Sequence, residues 1–235
     1  MWRSRRRKLA PKTLNEYLAA FSAFLSWLVS VGRAAGNSLS SIQKADTRGR
    51  QTVTRRAFNF EELRRLCEIE GRGLVYAFAA FTGLRRAEIK ALRWSDLVLD
   101  GDVPRVLIRA STAKNRKNAA IPLHSELATA LRNFRTTSRD ISGLVFSPFP
   151  KMPTLNRDLV RCGIKKTDSS GRTVDFHAFR VTFATLLNLA GVSPRVAMGL
   201  MRHSDMRLTH NVYTDTTALP YKTEIEKLPH LKIGL

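Results

Sequence analysis

The chain has 235 residues, 43% of them hydrophobic, which is enough for a globular core in one large domain or a small domain plus a medium one. Forty Lys and Arg stand against nineteen Asp and Glu, a formal charge of +21 with a pI near 11.1. This excludes a neutral surface mosaic and makes a polyanion the expected partner, nucleic acid ahead of an anionic membrane surface. No apolar run reaches the about 18 residues of a membrane span, and no compact apolar signal core opens the chain. The two cysteines, Cys67 and Cys162, read as reduced, buried or half-buried thiols of a cytosolic protein.

Arg3, Arg5, Arg6, Arg7 and Lys8 form a basic run at the start. Such a run is a solvated tail or a contact to a polyanion backbone, and its Arg-rich, acid-poor composition is also that of organelle transit peptides. From Thr13 to Val31, Leu14, Tyr17, Leu18, Phe21, Phe24, Leu25, Leu28 and Val31 make one apolar stripe at helical period, predicting a helix that needs a covering partner. The stretch 32–56 is rich in Gly, Ser and Arg and reads as an exposed connector. Asn59 with Glu62 is a capping-box pattern opening a helix that Phe60, Leu63, Leu66 and Ile69 continue. Residues 74–82 are apolar on nearly every side, predicting a buried helix ended by Gly83. Arg85 then opens a short helix, with Glu88 three residues on and able to pair with it.

Between Asp96 and Leu123 the period changes. Leu97 and Leu99, Val106 and Ile108, and Ile121 and Leu123 alternate with other residues, predicting a three-stranded antiparallel sheet with turns near Gly101 and at 114–118. The last tip carries Lys114, Arg116 and Lys117. Helices are predicted at 127–134 and, after Pro153, at 155–162, with a short apolar stretch at 144–146 between them and a polar loop at 165–173 beyond. Phe176, Phe179, Phe183, Leu186, Leu187 and Ala190 predict a helix over 176–190, capped at Gly191, that sets His177 and Arg180 on one edge. Ser193 and Pro194 start another helix, which runs to about Met201 and stops just before His203. Tyr213 lies ten residues past that histidine, followed by a linker and a short terminal helix at 221–228.

An arginine fork can hold two phosphate oxygens, a histidine adds a donor, and a tyrosine hydroxyl is a nucleophile. Each residue alone is more often structural, but together His177, Arg180, His203 and Tyr213 suit a phosphodiester. No H-x-x-x-H pattern or carboxylate cluster of a two-metal nuclease occurs, so no metal site is expected.

The order of the motifs carries a resemblance. TGLRRAEIKAL, K-x-x-K with an IPL strand, HAFRVTFATLL and MRHSDMRLTHNVYT, spread over about residues 55–215, resemble the catalytic domain of the tyrosine recombinases, the phage-integrase family. APKTLNEYLAAFSAFLSWLVSVGR is similar to the last helices of that family's core-binding domain. The resemblance implies a mainly α fold with a small antiparallel β-sheet (α+β), a catalytic domain preceded by a short helical segment. The implied division is a partial helical core-binding region with a basic tail at 1–48, a linker at 49–57, the catalytic domain at 58–215, and a tail at 216–235 holding a candidate neighbour-docking helix. The part before the catalytic domain is expected to be shortened relative to the family's usual helical bundle.

By position, Arg85 matches the family's first catalytic arginine, Lys114 its hairpin lysine, and His177 and Arg180 its H-x-x-R pair. His203 matches the His-or-Trp position, Tyr213 the nucleophile, and Glu88 the acid that supports the first arginine. Arg5, Arg6, Arg7, Lys12, Arg116, Lys117 and Arg202 are expected DNA contacts. The implied activity is that of a site-specific recombinase or integrase of a mobile element, cutting and rejoining DNA through a 3′-phosphotyrosine without ATP, metal or other cofactor. The implied partners are double-stranded DNA and further protomers, four around two duplexes. No membrane is implied, and the place of action would be the nucleoid within the cytoplasm. Arg202 stands where the family often has glycine, and Phe179 replaces a common leucine. The same residues suit a type IB topoisomerase, and a shortened N-terminal part suits a truncated, non-catalytic DNA-binding relative.

Overall fold

The computed structural model describes residues 9–47, 54–113, 116–138, 141 and 143–202. The chain divides into two units, Met1–Thr54 and Arg55–Leu235.

The first unit is built on α1 (Pro11–Ser30), which begins with proline in its first turn, where the fixed φ suits a helix and the missing N–H is no loss. None of its residues is buried, and Leu14, Tyr17, Phe21, Phe24 and Trp27 stay exposed, so the apolar stripe is largely uncovered. The following segment is not the free connector that its composition predicts, because side-chain amides clip it to α1. Asn15 donates to the Ala45 carbonyl at 2.9 Å and accepts the Ala45 N–H at 2.8 Å, as a strand partner would. The Asn37 amide donates to the Ser22 carbonyl and to the Ser22 and Ser26 hydroxyls at 2.9–3.0 Å.

The second unit begins at Arg55, inside the stretch 49–57 read as linker; Ala57 is buried there, and Phe58 is buried just beyond it. Helix α2 (Phe60–Cys67) opens on the expected reciprocal box: Asn59 Oδ1 accepts the Glu62 N–H at 2.8 Å, and Glu62 Oε2 accepts the Asn59 N–H at 3.1 Å. The helix stops at Cys67, short of Ile69, which is buried without being helical. Helix α3 (Gly73–Thr82) is the centre of the core, with Tyr76, Phe78, Ala79 and Ala80 fully buried, as an element apolar on all sides must be. Helix α4 (Arg86–Lys90) and a 3-10 turn at Trp94–Asp96 lead into the sheet.

Strands β1 (Leu97–Val98), β2 (Arg105–Ile108) and β3 (Ala119–Pro122) pair antiparallel in sequence order. The register sets Leu97 against Val106 and Val106 against Ile121, so the inward residues of all three strands share one face. Helix α5 (Ser125–Thr137) is longer at both ends than its apolar residues suggest, because polar turns extend it. Helix α6 (Met152–Arg161) starts before Pro153, which sits in the first turn. Across the core, the Tyr76 hydroxyl and the Arg72 guanidinium both donate to the buried Asp158 carboxylate and tie α6 to α3. Helices α7 (Ala178–Leu189) and α8 (Pro194–Met201) are the last described elements of the unit. Among the described residues the fold is therefore mainly helical with one small antiparallel sheet. Among the described residues no helix is long and apolar enough to cross a membrane.

Both cysteines are free, and burial pushes the Cys67 thiol up to about 11 and raises that of Cys162.

Candidate active site

The site is assembled from three turns that are distant in sequence. The first follows α3. Gly83 closes that helix in the left-handed region, φ 59°, and a Cβ there would lie 2.4 Å from the Phe183 ring of α7, so glycine lets the two helices approach. Two residues on, Arg85 takes the N-cap position of α4, and its backbone N–H donates to Glu88 Oε2 at 2.8 Å while Nη1 reaches Oε1 at 3.3 Å. Glu88 is buried, whereas the Arg85 side chain is 26% exposed, so a fixed carboxylate stands behind a guanidinium that opens to solvent. Its neighbour Arg86 turns elsewhere, over the rings of Phe149 and Phe176 and onto the Pro150 carbonyl.

The second turn precedes α7. The expectation that His177 lies inside the helix is corrected: the helix starts at Ala178 and His177 is its N-cap. The cause is Asp175, whose Oδ1 accepts the N–H groups of His177 at 2.8 Å and Ala178 at 3.1 Å and ends the helix there. Arg55 holds the same carboxylate through Nε and Nη2, and the pairing keeps Asp175 below the usual carboxylate range despite its burial. Burial lowers the His177 imidazole to about 4, the charges of Arg55, Arg180 and Arg85 push the same way, and Asp175 opposes them. At neutral pH this histidine is an uncharged base.

Arg180 lies one turn into α7 and is 2% exposed. Its Nη1 donates to the Gly83 carbonyl and its Nη2 to the Met201 carbonyl. One guanidinium thus joins the end of α3 to the end of α8. The third turn is there: Arg202 caps α8 with φ 54°, and its Nη2 donates to Glu88 Oε2 at 2.6 Å.

Among the expected site residues, the structure brings together Arg85, Glu88, His177, Arg180 and Arg202. Lys114, His203 and Tyr213, and also Arg5, Arg6 and Arg7, lie outside the described residues. Lys12 belongs to α1 in the first unit, and Arg116 and Lys117 are exposed between β2 and β3. Sequence reasoning missed Asp175 and Arg55. Asp175 carried a signal, an acidic N-cap type just before an apolar periodic run, but Arg55, which is 120 residues away, carried none.

Residues 56–219 match the Phage integrase family. The tyrosine recombinase XerC of Xanthomonas campestris pv. campestris (strain B100) is 28% identical over 222 residues, covering 89% of this chain. The chain spans 65% of the length of that relative. Among solved structures, the Tn1549 transposon integrase in complex with transposon right end DNA superimposes with a TM-score of 0.67 at 19% identity, covering 94% of this chain and 80% of that one. The XerA recombinase gives 0.59 at 18%, covering 95% and 85%. These likenesses bear out the fold. The family match takes in all three turns of the site, and the chain belongs to the phage integrase family, the tyrosine recombinases.

Proposed function

We propose that this chain is a site-specific recombinase or integrase that cleaves and rejoins DNA through a covalent 3′-phosphotyrosine. The observation that carries the reading is Arg180, which links the Arg85 turn to the end of α8 and so gathers cationic donors from distant segments into one cluster. In the proposed chemistry Tyr213 Oη attacks the scissile phosphorus and loses its proton. The bond to the 5′ oxygen breaks, and that oxygen leaves as a hydroxyl. Attack by a 5′ hydroxyl of a second duplex reverses these steps, returns a proton to Tyr213 and spends no external energy.

The pentacoordinate transition state carries more negative charge than the ground state, and preorganised donors that tighten there lower the barrier. Arg85 is held from behind by Glu88 and suits this role. A guanidinium has five N–H groups, so two carbonyl anchors on Arg180 are compatible with donation to phosphate. The uncharged His177 suits uptake of the tyrosine proton. Lys114 is the proposed proton donor to the 5′ oxygen, and His203 a donor to a phosphate oxygen.

Double-stranded DNA is the proposed partner, supported by the +21 charge, with Lys12, Arg116 and Lys117 against the backbone and residues 1–48 as the core-binding region. Assembly of four protomers on paired sites, docking through residues 216–235, and action for a mobile element on nucleoid DNA in the cytoplasm belong to the same proposal.

The test is covalent trapping on a nicked duplex that carries candidate element ends. A denaturation-resistant protein–DNA band from the wild type, lost in Tyr213→Phe, is the expected result. Tight binding without a band, where a control recombinase gives one, would overturn the catalytic reading. Exchange between two duplexes separates a recombinase from an enzyme that only relaxes DNA.

A further inference from the structure

Arg202 occupies a backbone conformation that does not suit it. Its φ of 54° and ψ of 42° are the left-handed cap that glycine adopts freely and that crowds any residue with a Cβ. The side chain is 7% exposed, so the cost of burying a guanidinium is added to the backbone strain. Among the described residues only Nη2 is engaged, on Glu88 Oε2 at 2.6 Å. Nε and Nη1 are shielded from water and have no hydrogen-bond partner among the described residues.

A role in the fold alone explains this poorly. Glycine would end α8 without strain, and Glu88 already accepts from the Arg85 backbone and side chain. Strained residues with unsatisfied donors collect where a ligand completes them. The charges point the same way, since among the described residues Arg85 and Arg202 share one carboxylate, Glu88. Two guanidiniums on one carboxylate carry a net positive charge, which a phosphodiester whose charge rises in the transition state would balance.

We propose that Arg202 is a further phosphate-binding residue: Glu88 anchors it through Nη2, and a shift of the side chain on DNA binding uncovers its remaining donors for an oxygen of the scissile phosphate. This rests on reading the site as a DNA strand-transfer centre. No covalent step is added to that chemistry. Arg202 supplies donors and charge, and its anchor on Glu88 places it beside Arg85.

The test compares wild type, Arg202→Gly and Arg202→Lys in covalent trapping, thermal unfolding and DNA binding across salt. Glycine relieves the left-handed strain, so a residue that merely caps the helix gives Arg202→Gly with equal or higher Tm and an unchanged trapping rate, which overturns the proposal. The expected result is equal or higher Tm with trapping slowed about a hundredfold, the scale of a lost oxyanion donor. Arg202→Lys, which keeps the charge but not the planar fork, is expected to recover part of that loss. Equal loss in both variants with Tm lowered in both would show a folding role and also overturn it. If the wild type forms no covalent band at all, the strand-transfer reading fails by itself and the salt series decides the phosphate contact. A slope of log K against log salt shallower by about 0.9 in Arg202→Gly supports it, and an unchanged slope overturns it.

Discussion

Arg55 grips Asp175 through both carboxylate oxygens, with Nε at 3.0 and 2.9 Å and Nη2 at 2.8 Å, while Asp175 Oδ1 caps the helix that carries Arg180. Removing the cap by Asp175→Ala should cost about 1–2 kcal/mol of stability, the range for a lost N-cap acceptor. Asp175→Asn keeps an acceptor and should cost less. Urea denaturation of the two variants checks the order. Because the carboxylate is held below its ordinary value of 3.8, the folded state keeps it ionised where the unfolded chain takes up a proton. That stability is present above pH 3.8 and lost as pH falls further, and Asp175→Asn should flatten this acid limb.

His177 gives a second window with its own sign. Its folded value near 4 lies below the ordinary 6.5, so between these values the unfolded chain binds the proton that the folded chain refuses. The contribution is complete above pH 6.5 and declines as pH falls toward 4. His177→Gln should remove that decline, and the His177 imidazole signals, assigned by their loss in that variant, should show no titration between pH 5.5 and 8.

Arg85 and Arg180 should separate by what fails. Arg85 is partly exposed and spans no carbonyls, so Arg85→Ala should slow covalent trapping about a hundredfold, ~3 kcal/mol, with little change in Tm. Arg180→Ala strips two buried carbonyls of their donor at about 1–3 kcal/mol each, so stability and trapping should fall together. Thermal unfolding beside the trapping assay checks this.

The Arg72–Asp158–Tyr76 link offers a control outside the site. Asp158→Asn takes the charge from a buried carboxylate paired with a half-buried guanidinium and should cost about 2 kcal/mol, whereas Tyr76→Phe loses one hydrogen bond and should cost about 1 kcal/mol. Under conditions where both variants are folded, trapping should proceed at the wild-type rate.

What could be read from the residues was what is local. The Asn59–Glu62 box, the burial of α3, the Arg85–Glu88 pair and the alternation that makes the sheet each follow from spacings of a few residues. The start of α7 was missed because Phe176 fits the apolar period, and a period does not register that Asp175 has taken the N–H groups of residues 177 and 178. The clip of residues 37–45 onto α1 was missed because asparagines that bond backbone have the composition of a linker. Arg202 was visible as a departure from glycine, but its carboxylate partner lies 114 residues away. The targets of Arg180 are backbone carbonyls, which leave no mark in residue type.

The two carbonyls bound by Arg180 are 97 residues before it and 21 after it. During synthesis the Arg85 turn leaves the ribosome long before the end of α8, and until that end is free the guanidinium has only one of its anchors. On the proposed function, a growing chain would hold DNA by charge alone well before it could hold a scissile phosphate in place. The order of assembly would then delay the cutting geometry until the chain has been made at least as far as Met201.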